Sequence, residues 1–296
     1  MEGVKESIRL PQRDTVIRSC CDCRGLALRD KLFQTIPYPK TESFKGQTHP
    51  ATRRQQEPLM SAIPNLPDPN ANRLLAALPQ TELDRLAPQL QQVSFSLGEV
   101  VYEFGGHLDH VYFPTTAIVS LLYTMENGSS AEMGLTGNDG VVGIALFMGG
   151  GTMPNRAVVQ SAGGALRMKA AVLQDEFALG GKFQQLLLRY TQALITQISQ
   201  TAVCNRLHSV EQQLCRWLLL SHDRLKVDEL IMTQELIADM LGVRREGVTV
   251  AAGRLQDAGG ISYVRGHIKI LDRHKLESTV CECYQVVKDE FQRLLG

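Results

Sequence analysis

The sequence contains no apolar run close to the roughly 18 residues that a membrane-spanning helix requires. Its longest candidate, Val141–Met148, is interrupted by Gly143 and followed by Gly149–Gly151. The opening stretch, MEGVKESIRLPQRDTVIRSC, is charged throughout and does not read as a secretory leader, so a cytoplasmic protein without a membrane partner is expected. An excess of one charge is also missing, with 31 Lys and Arg against 31 Asp and Glu. Affinity for nucleic acid comes largely from neutralised phosphates, so a basic surface would have to be local. The seven cysteines are an odd number in a chain without a leader, which favours reduced thiols over a disulfide framework. Absent too are a P-loop, a dinucleotide glycine fingerprint, a nucleophile elbow and a histidine-rich metal set. These absences argue against an enzyme, and neither a cofactor nor a metal is expected. The alternative from that class is a cupin-like metal enzyme acting through His107 and His110 of the loop GGHLDH.

What is present is a helical pair between Thr233 and Gln256. Thr233 suits a helix N-cap, Glu235 puts negative charge in the first turn, and Leu236, Ile237, Met240 and Leu241 recur on one side. Gly242 supplies a helix stop. A second helix is expected from about Arg244, with Val248, Ala252 and Leu255 as its apolar stripe. Two such stripes facing across a short turn make a helix-turn-helix. The outward positions are then Arg244, Arg245, Glu246, Thr249, Val250 and Arg254, groups suited to phosphates and base edges. Two short β-type runs, Ile261–Val264 and His267–Leu271, flank Arg265-Gly266 and predict a hairpin. Between Met240 and Lys275 seven cations stand against three anions, a modest basic face on a neutral chain.

These residues resemble the winged helix-turn-helix of the CRP/FNR superfamily of bacterial transcription regulators, through Thr233, Leu236, Ala238, Leu241-Gly242, Arg245-Glu246, Val248, Leu255 and Ile261. The resemblance implies double-stranded DNA as a partner, with Thr233, Gln234, Arg244, Arg245, Glu246, Thr249, Val250, Arg254, Arg265 and Lys269 at the interface. Three positions depart from the family: Arg244 stands where a hydroxyl residue usually caps the second helix, Gly247 replaces a hydroxyl residue, and Val250 replaces an arginine that often reads a base. Val250 cannot pair with guanine but suits a thymine methyl group. A module that no longer binds DNA and serves only in protein interaction is the alternative these departures leave.

Residues 1–68 mix prolines and charges without period and read as a disordered extension, with Met60 where an ordinary family member would begin. Cys20, Cys21 and Cys23 have poor spacing for an iron–sulfur cluster and read as incidental thiols. Asn72–Leu90 predicts two short helices broken at Pro79, forming a lid or entry. From Val93 the period becomes strand-like: Val93, Phe95 and Leu97 alternate, Val111–Phe113 and Ile118–Tyr123 are β-rich, and Asn127-Gly128 and Gly137–Gly140 are expected hairpin turns. That pattern is a β-roll, similar to the superfamily's cyclic-nucleotide-binding sensor domain. The pocket the resemblance implies would include Ile144, Ala145, Asn155 and Arg156, but Ile144 or Ala145 replaces the carboxylate that would hold a ribose, and Arg156 is one residue out of register. A small-molecule effector other than cyclic AMP, or none, is expected.

Lys182–His208 is a long helical pattern whose Phe183, Leu187, Tyr190, Leu194, Ile198 and Ala202 recur at steps of three and four, a seam that suits a parallel homodimer as in the family. Ser209-Val-Glu-Gln212 is a capping box opening the next helix, with Val210, Leu214, Trp217 and Leu218 facing a core. Arg273–Leu295 predicts one amphipathic helix, and Cys281 and Cys283 are assigned no metal for want of a further ligand nearby. The expected class is α+β: an N-terminal β-roll (jelly-roll-like) sensor domain at 69–181, a dimerisation helix at 182–208, and a winged helix-turn-helix domain at 209–296. RNA polymerase is a further expected partner should the chain activate transcription.

Overall fold

The computed structural model describes residues 68–225 and 227–296; the expectations for the N-terminal extension, the Met60 start and Cys20, Cys21 and Cys23 lie outside them. Asn72 caps the first α-helix by accepting the backbone N–H groups of Leu74 and Leu75, and donates to the carbonyls of Pro114 and Gly140. The short helices α1 (Arg73–Ala76) and α2 (Gln80–Leu86) break at Pro79 as expected. They are not a lid. Leu74, Leu75, Leu78, Leu83 and Leu86 are buried in the main core.

Seven strands follow: β1 (Gln91–Phe95), β2 (Val100–Tyr102), β3 (His110–Pro114), β4 (Ile118–Thr124), β5 (Ser130–Thr136), β6 (Arg156–Ser161) and β7 (Gly163–Lys169), with α3 (Ala145–Met148) between the fifth and sixth. They form two antiparallel sheets, ordered β1-β7-β3 and β2-β6-β4-β5. Apolar side chains between the sheets, among them Phe95, Val111, Phe113, Val119 and Leu166, make the core of a roll. Asn127-Gly128 joins β4 to β5 with Gly128 at φ 84, the left-handed conformation a tight hairpin requires. Leu97 falls outside β1 in the turn that follows it and is exposed. Gly137–Gly140 is a turn but not a hairpin, because β5 pairs only with β4 and the chain leaves it for α3.

After α4 (Ala170–Ala178) the long helix α5 (Gly181–Leu207) runs 27 residues, about 40 Å. The expected seam is largely its inner face. Phe183, Leu187, Tyr190 and Leu194 are buried in the roll's own core and Ile198 packs against it, so only Ala202 of that set remains exposed. An exposed stripe runs instead through Leu188, Gln192, Ile195, Ser199, Ala202 and Arg206, at alternating steps of four and three.

The remaining elements are α6 (Val210–His222), β8 (Glu229–Ile231), α7 (Gln234–Leu241), α8 (Arg245–Asp257), β9 (Ile261–Val264), β10 (His267–Ile270), α9 (Arg273–Thr279) and α10 (Cys283–Leu295). The expected single C-terminal helix is thus two, separated by Val280–Glu282. Strand β8 turns the hairpin into a three-stranded sheet, β8-β10-β9. The capping box forms, with Ser209 accepting from Gln212 N–H and the Gln212 side chain accepting from Ser209 N–H.

Helix α6 lies against the β4–β5–β6 face, and Ile118 and Leu135 of the roll share a core with Trp217 and Leu218. Two polar connections cross this contact. Arg224, just past α6, pairs with Asp139 of the Gly137–Gly140 turn at 2.7 Å, both groups buried. Nearby, Ser120, Glu132, Gln160 and Ser221 form a buried chain in which the Gln160 side chain donates to Ser221 at 2.9 Å. Ser120 Oγ contacts both the Glu132 carboxyl and Gln160 Oε1, yet has one proton. A protonated Glu132 donating to Ser120, which donates to Gln160, satisfies both contacts. Burial also pushes this carboxyl up to about 7, outweighing the opposing pulls of Ser120 and Arg216.

Folded Glu132 therefore keeps a proton that the unfolded chain releases between its ordinary value of 4.5 and about 7. The raised value stabilises the fold fully below that window, and the contribution declines as pH rises through it. We expect the wild-type unfolding midpoint to fall between about pH 5 and about pH 8 by more than that of Glu132→Gln, as read by circular dichroism. Equal falls in the two proteins would count against a protonated Glu132.

Candidate nucleic-acid interface

Thr233 caps α7 by accepting from Leu236 N–H at 3.2 Å, and Gly242 ends the helix at φ 65. Val243 and Arg244 make the turn, and Arg244 takes the N-cap position of α8 without a side-chain hydrogen bond. An arginine has no acceptor, so the departure seen at this position leaves the first amides of α8 free of side-chain capping. Ile237, Ala238, Leu241, Val248, Ala252 and Leu255 close the core between the two helices and α6.

Outside that core, Arg244, Arg245, Glu246, Thr249, Val250 and Arg254 are all exposed along α8. Thr249 donates to Gln234 Oε1 at 2.9 Å and also lies 3.1 Å from the Arg245 carbonyl, tying the start of α7 to the outer face of α8. Val250 is 56% exposed, an apolar group on an otherwise polar face. Arg254 is drawn towards α6 by Glu211 at 3.4 Å, leaving it less free than its neighbours.

The β9–β10 hairpin turns through Arg265 at φ 51 and Gly266 at φ 85, so both central residues are left-handed, as a tight two-residue hairpin requires. Lys269 is exposed on β10, opposite Ser262 of β9 and Glu229 of β8. Thr233, Gln234, Arg245, Tyr263, Arg265 and Gly266 line one concavity of about 260 Å³ between α7, α8 and the hairpin. Four of the residues expected at the interface from sequence therefore meet around a single hollow. Tyr263 is not among them. Its hydroxyl donates to the Met232 carbonyl at 2.8 Å, bracing the hairpin against the entry to α7. An aromatic within a strand gives no sign of that cross-element contact.

The family model of the Crp-like helix-turn-helix domain matches residues 212–279. The whole fold is similar to that of FixK2 from Bradyrhizobium japonicum at 17% identity, with a TM-score of 0.57 over 65% of this chain and 98% of that one. A CRP-family transcriptional regulator from Thermus thermophilus is similar at 16% identity, with a TM-score of 0.54 over 63% of this chain and 95% of that one. The fold is that of the CRP/FNR superfamily. Another chain of this fold, the c-di-GMP-responsive global regulator CLP of Xanthomonas campestris, is 15% identical, with a TM-score of 0.51 over 65% of this chain and 99% of its own. No curated protein matches the sequence. Residues 212–279 are thus a helix-turn-helix DNA-binding domain carried on a CRP/FNR-type regulator fold.

The roll holds a cavity of about 630 Å³ beside α5. Ile144, Ala145 and Asn155 are among its lining residues, together with Leu121, Tyr123, Met133, Met153, Leu194 and Ile198. No charged side chain does. Arg156 turns away onto the neighbouring surface and pairs with Glu103 at 3.1 Å, the reversal of face that its register implies. His107 and His110 join no group of three or more metal-binding side chains among the described residues. Cys281 and Cys283, however, do have ligand-type neighbours. Cys204 and His208 from the end of α5 lie with them, all four donor atoms within 4.8 Å of one another, so the expectation of no nearby partner is corrected.

Helix α8 carries two glycines. An added Cβ at Gly253 would meet nothing within 4 Å, whereas one at Gly247 would make ordinary contact with Val210. Gly253→Ala removes backbone freedom from the unfolded chain at no steric cost. It should stabilise the domain by about 1 kcal/mol in urea titrations; a destabilisation would show that this helix is strained at Gly253.

Proposed function

We propose that the chain is a homodimeric transcription regulator that reads an inverted-repeat operator with α8 in the major groove. The observation that carries this reading is the shared hollow of Thr233, Gln234, Arg245 and Arg265, opening beside the exposed face of α8. In this arrangement Arg245 and Glu246 meet base edges, Val250 meets a thymine methyl, and Arg244, Thr249, Arg265 and Lys269 hold phosphates. Arg254, engaged with Glu211, takes a phosphate at the edge of the contact. The division into a sensor at 69–181, a connecting helix at 182–208 and a DNA-binding part at 209–296 belongs to the same proposal. Operation in the cytoplasm, and contact with RNA polymerase at activated promoters, go with it.

Dimerisation would use the open stripe of α5, Leu188, Gln192, Ile195, Ser199, Ala202 and Arg206, whose steps of four and three fit a parallel two-helix seam. Leu188 is 50% and Ile195 56% exposed, an apolar pair seven residues apart that one chain leaves uncovered. Two α8 helices about 34 Å apart would then face successive major grooves. The apolar cavity beside α5 supports an uncharged effector, since a cyclic phosphate would find no cation in its lining.

Selection of bound duplexes from a random library at near-physiological salt should enrich an inverted repeat. Arg245→Ala should relax one half-site position by about 1–3 kcal/mol, while Lys269→Ala weakens all duplexes alike. Uniform losses in both variants would remove Arg245 as a base reader. Ile195→Glu should shift the protein from dimer to monomer in sedimentation runs. Phe183 and Leu194 on the inner face would instead lower stability when changed, and a dimer that survives Ile195→Glu would move the interface off α5.

A further inference from the structure

We infer that Cys204, His208, Cys281 and Cys283 form a binding site for a single zinc ion, fastening the end of α5 to the start of α10. Cys204 and His208 are four residues apart and so share a face of the last turn of α5, while Cys281 and Cys283 flank Glu282 where α9 gives way to α10. The three cysteines are buried, at 0%, 4% and 1% exposure, and form a small cluster separate from both apolar cores. All four donor atoms lie within 4.8 Å of one another. Cys204 Sγ is 3.6 Å from Cys281 Sγ, and Cys283 Sγ is 3.5 Å from His208 Nδ1. A tetrahedron with bonds of about 2.3 Å to sulfur and about 2.0 Å to nitrogen has edges of roughly 3.5–3.8 Å. The side chains thus stand near the spacing that one ion imposes.

The surroundings suit the ion as well. The other ring nitrogen of His208, Nε2, lies 3.5 Å from the Glu282 carboxylate, the outer partner that orients a metal-bound imidazole and fixes its tautomer. Binding to three thiols and a neutral imidazole releases three protons, and the resulting site carries a net charge of −1. Arg216 is 5% exposed, donates to Thr201 Oγ1 at 3.0 Å, and has no carboxylate within ion-pair distance among the described residues. The Gln213 side chain donates to the carbonyls of both Cys204 and His208 and holds the α5 terminus in shape. Arg216 follows Gln213 by three residues, about one turn of α6, and provides the charge opposite to that of the site. Three thiolates with one imidazole select zinc over magnesium or calcium, which take oxygen ligands. A two-iron cluster would place its ligands on separate metals and spread them farther apart than these four.

The consequence is mechanical. His208 is the C-cap of α5 and Ser209 the N-cap of α6, so the ion would sit at the joint between the long helix and the DNA-binding domain. The test uses the full chain purified without chelator and analysed by mass spectrometry for elements. About one zinc per chain is expected, kept in the triple variant Cys20→Ser/Cys21→Ser/Cys23→Ser and in Cys215→Ala, and falling to less than about a tenth in Cys281→Ser/Cys283→Ser. Should that double variant fail to fold, the wild-type chain decides by itself: stripped of metal and given cobalt(II), it should show the intense visible bands of a tetrahedral, thiolate-bound ion. Weak octahedral bands, iron with inorganic sulfide, loss of the zinc in the triple variant, or a Cys204–Cys281 disulfide in the freshly isolated chain would each overturn the assignment.

Discussion

The contact on which this architecture depends is the buried pair between Arg224 and Asp139. The Arg224 guanidinium meets the carboxylate at 2.7 Å, donates to the Leu220 carbonyl at 2.8 Å, and lies 5.2 Å over the Phe291 ring. Two charges taken out of water gain little by pairing, but removing one partner strands the other and costs about 3–5 kcal/mol. Such a pair sets an arrangement more than it adds stability. Here it joins the Gly137–Gly140 turn of the roll to the end of α6 and to α10. The turn can approach so closely only because its first and last residues are glycines: a Cβ at Gly137 would collide with the Arg224 stem at 2.7 Å, and one at Gly140 with the Tyr190 ring.

The Glu132–Ser120–Gln160–Ser221 chain adds direction to that anchoring. An apolar contact such as that between Leu135 and Trp217 tolerates sliding, whereas a buried polar chain loses its bonds when displaced. Together the two connections fix α6 on the roll, where α7 also packs directly against β5, and α8 is held through these two helices. The outer face of α8 stays exposed in this arrangement, because α6 and α7 rather than α8 take the contact with the β4–β5–β6 face.

Local chemistry was readable from the sequence. Thr233, Gly242, the Ser209 capping box and Arg265-Gly266 each fix a helix end or a turn by their own backbone preferences, so these features appear where the residues predict them. Relations between distant segments were not. Helix α5 is apolar on its inner face and half apolar on its outer one, and periodicity alone favours the richer stripe, which the roll consumes. Strand β8 is only three residues long and gains its identity from pairing with β10. The break at Val280–Glu282 carries no proline or glycine, so the C-terminal pattern reads as continuous. The cysteine group escaped for a related reason: Cys204 and Cys281 are 77 residues apart, and only the return of α10 along α5 brings them together.

That return also makes α5 the element through which events in the roll would reach the DNA-binding helices. One of its faces contributes Leu194 and Ile198 to the apolar cavity, another carries the exposed Leu188 and Ile195, and its last turn holds Cys204 and His208. Tyr190 meets the Phe291 ring of α10 edge-on at 6.4 Å and bonds Thr136 of β5 at 2.8 Å, so this one residue ties α5 both to α10 and to the roll. A rigid rod held this way transmits rotation better than bending. A ligand in the cavity can change the attitude of α8 only to the extent that it prefers one setting of α5 over another. The Arg224–Asp139 pair opposes every setting but the present one, so the differential affinity of an effector must exceed what that pair contributes to the docked state.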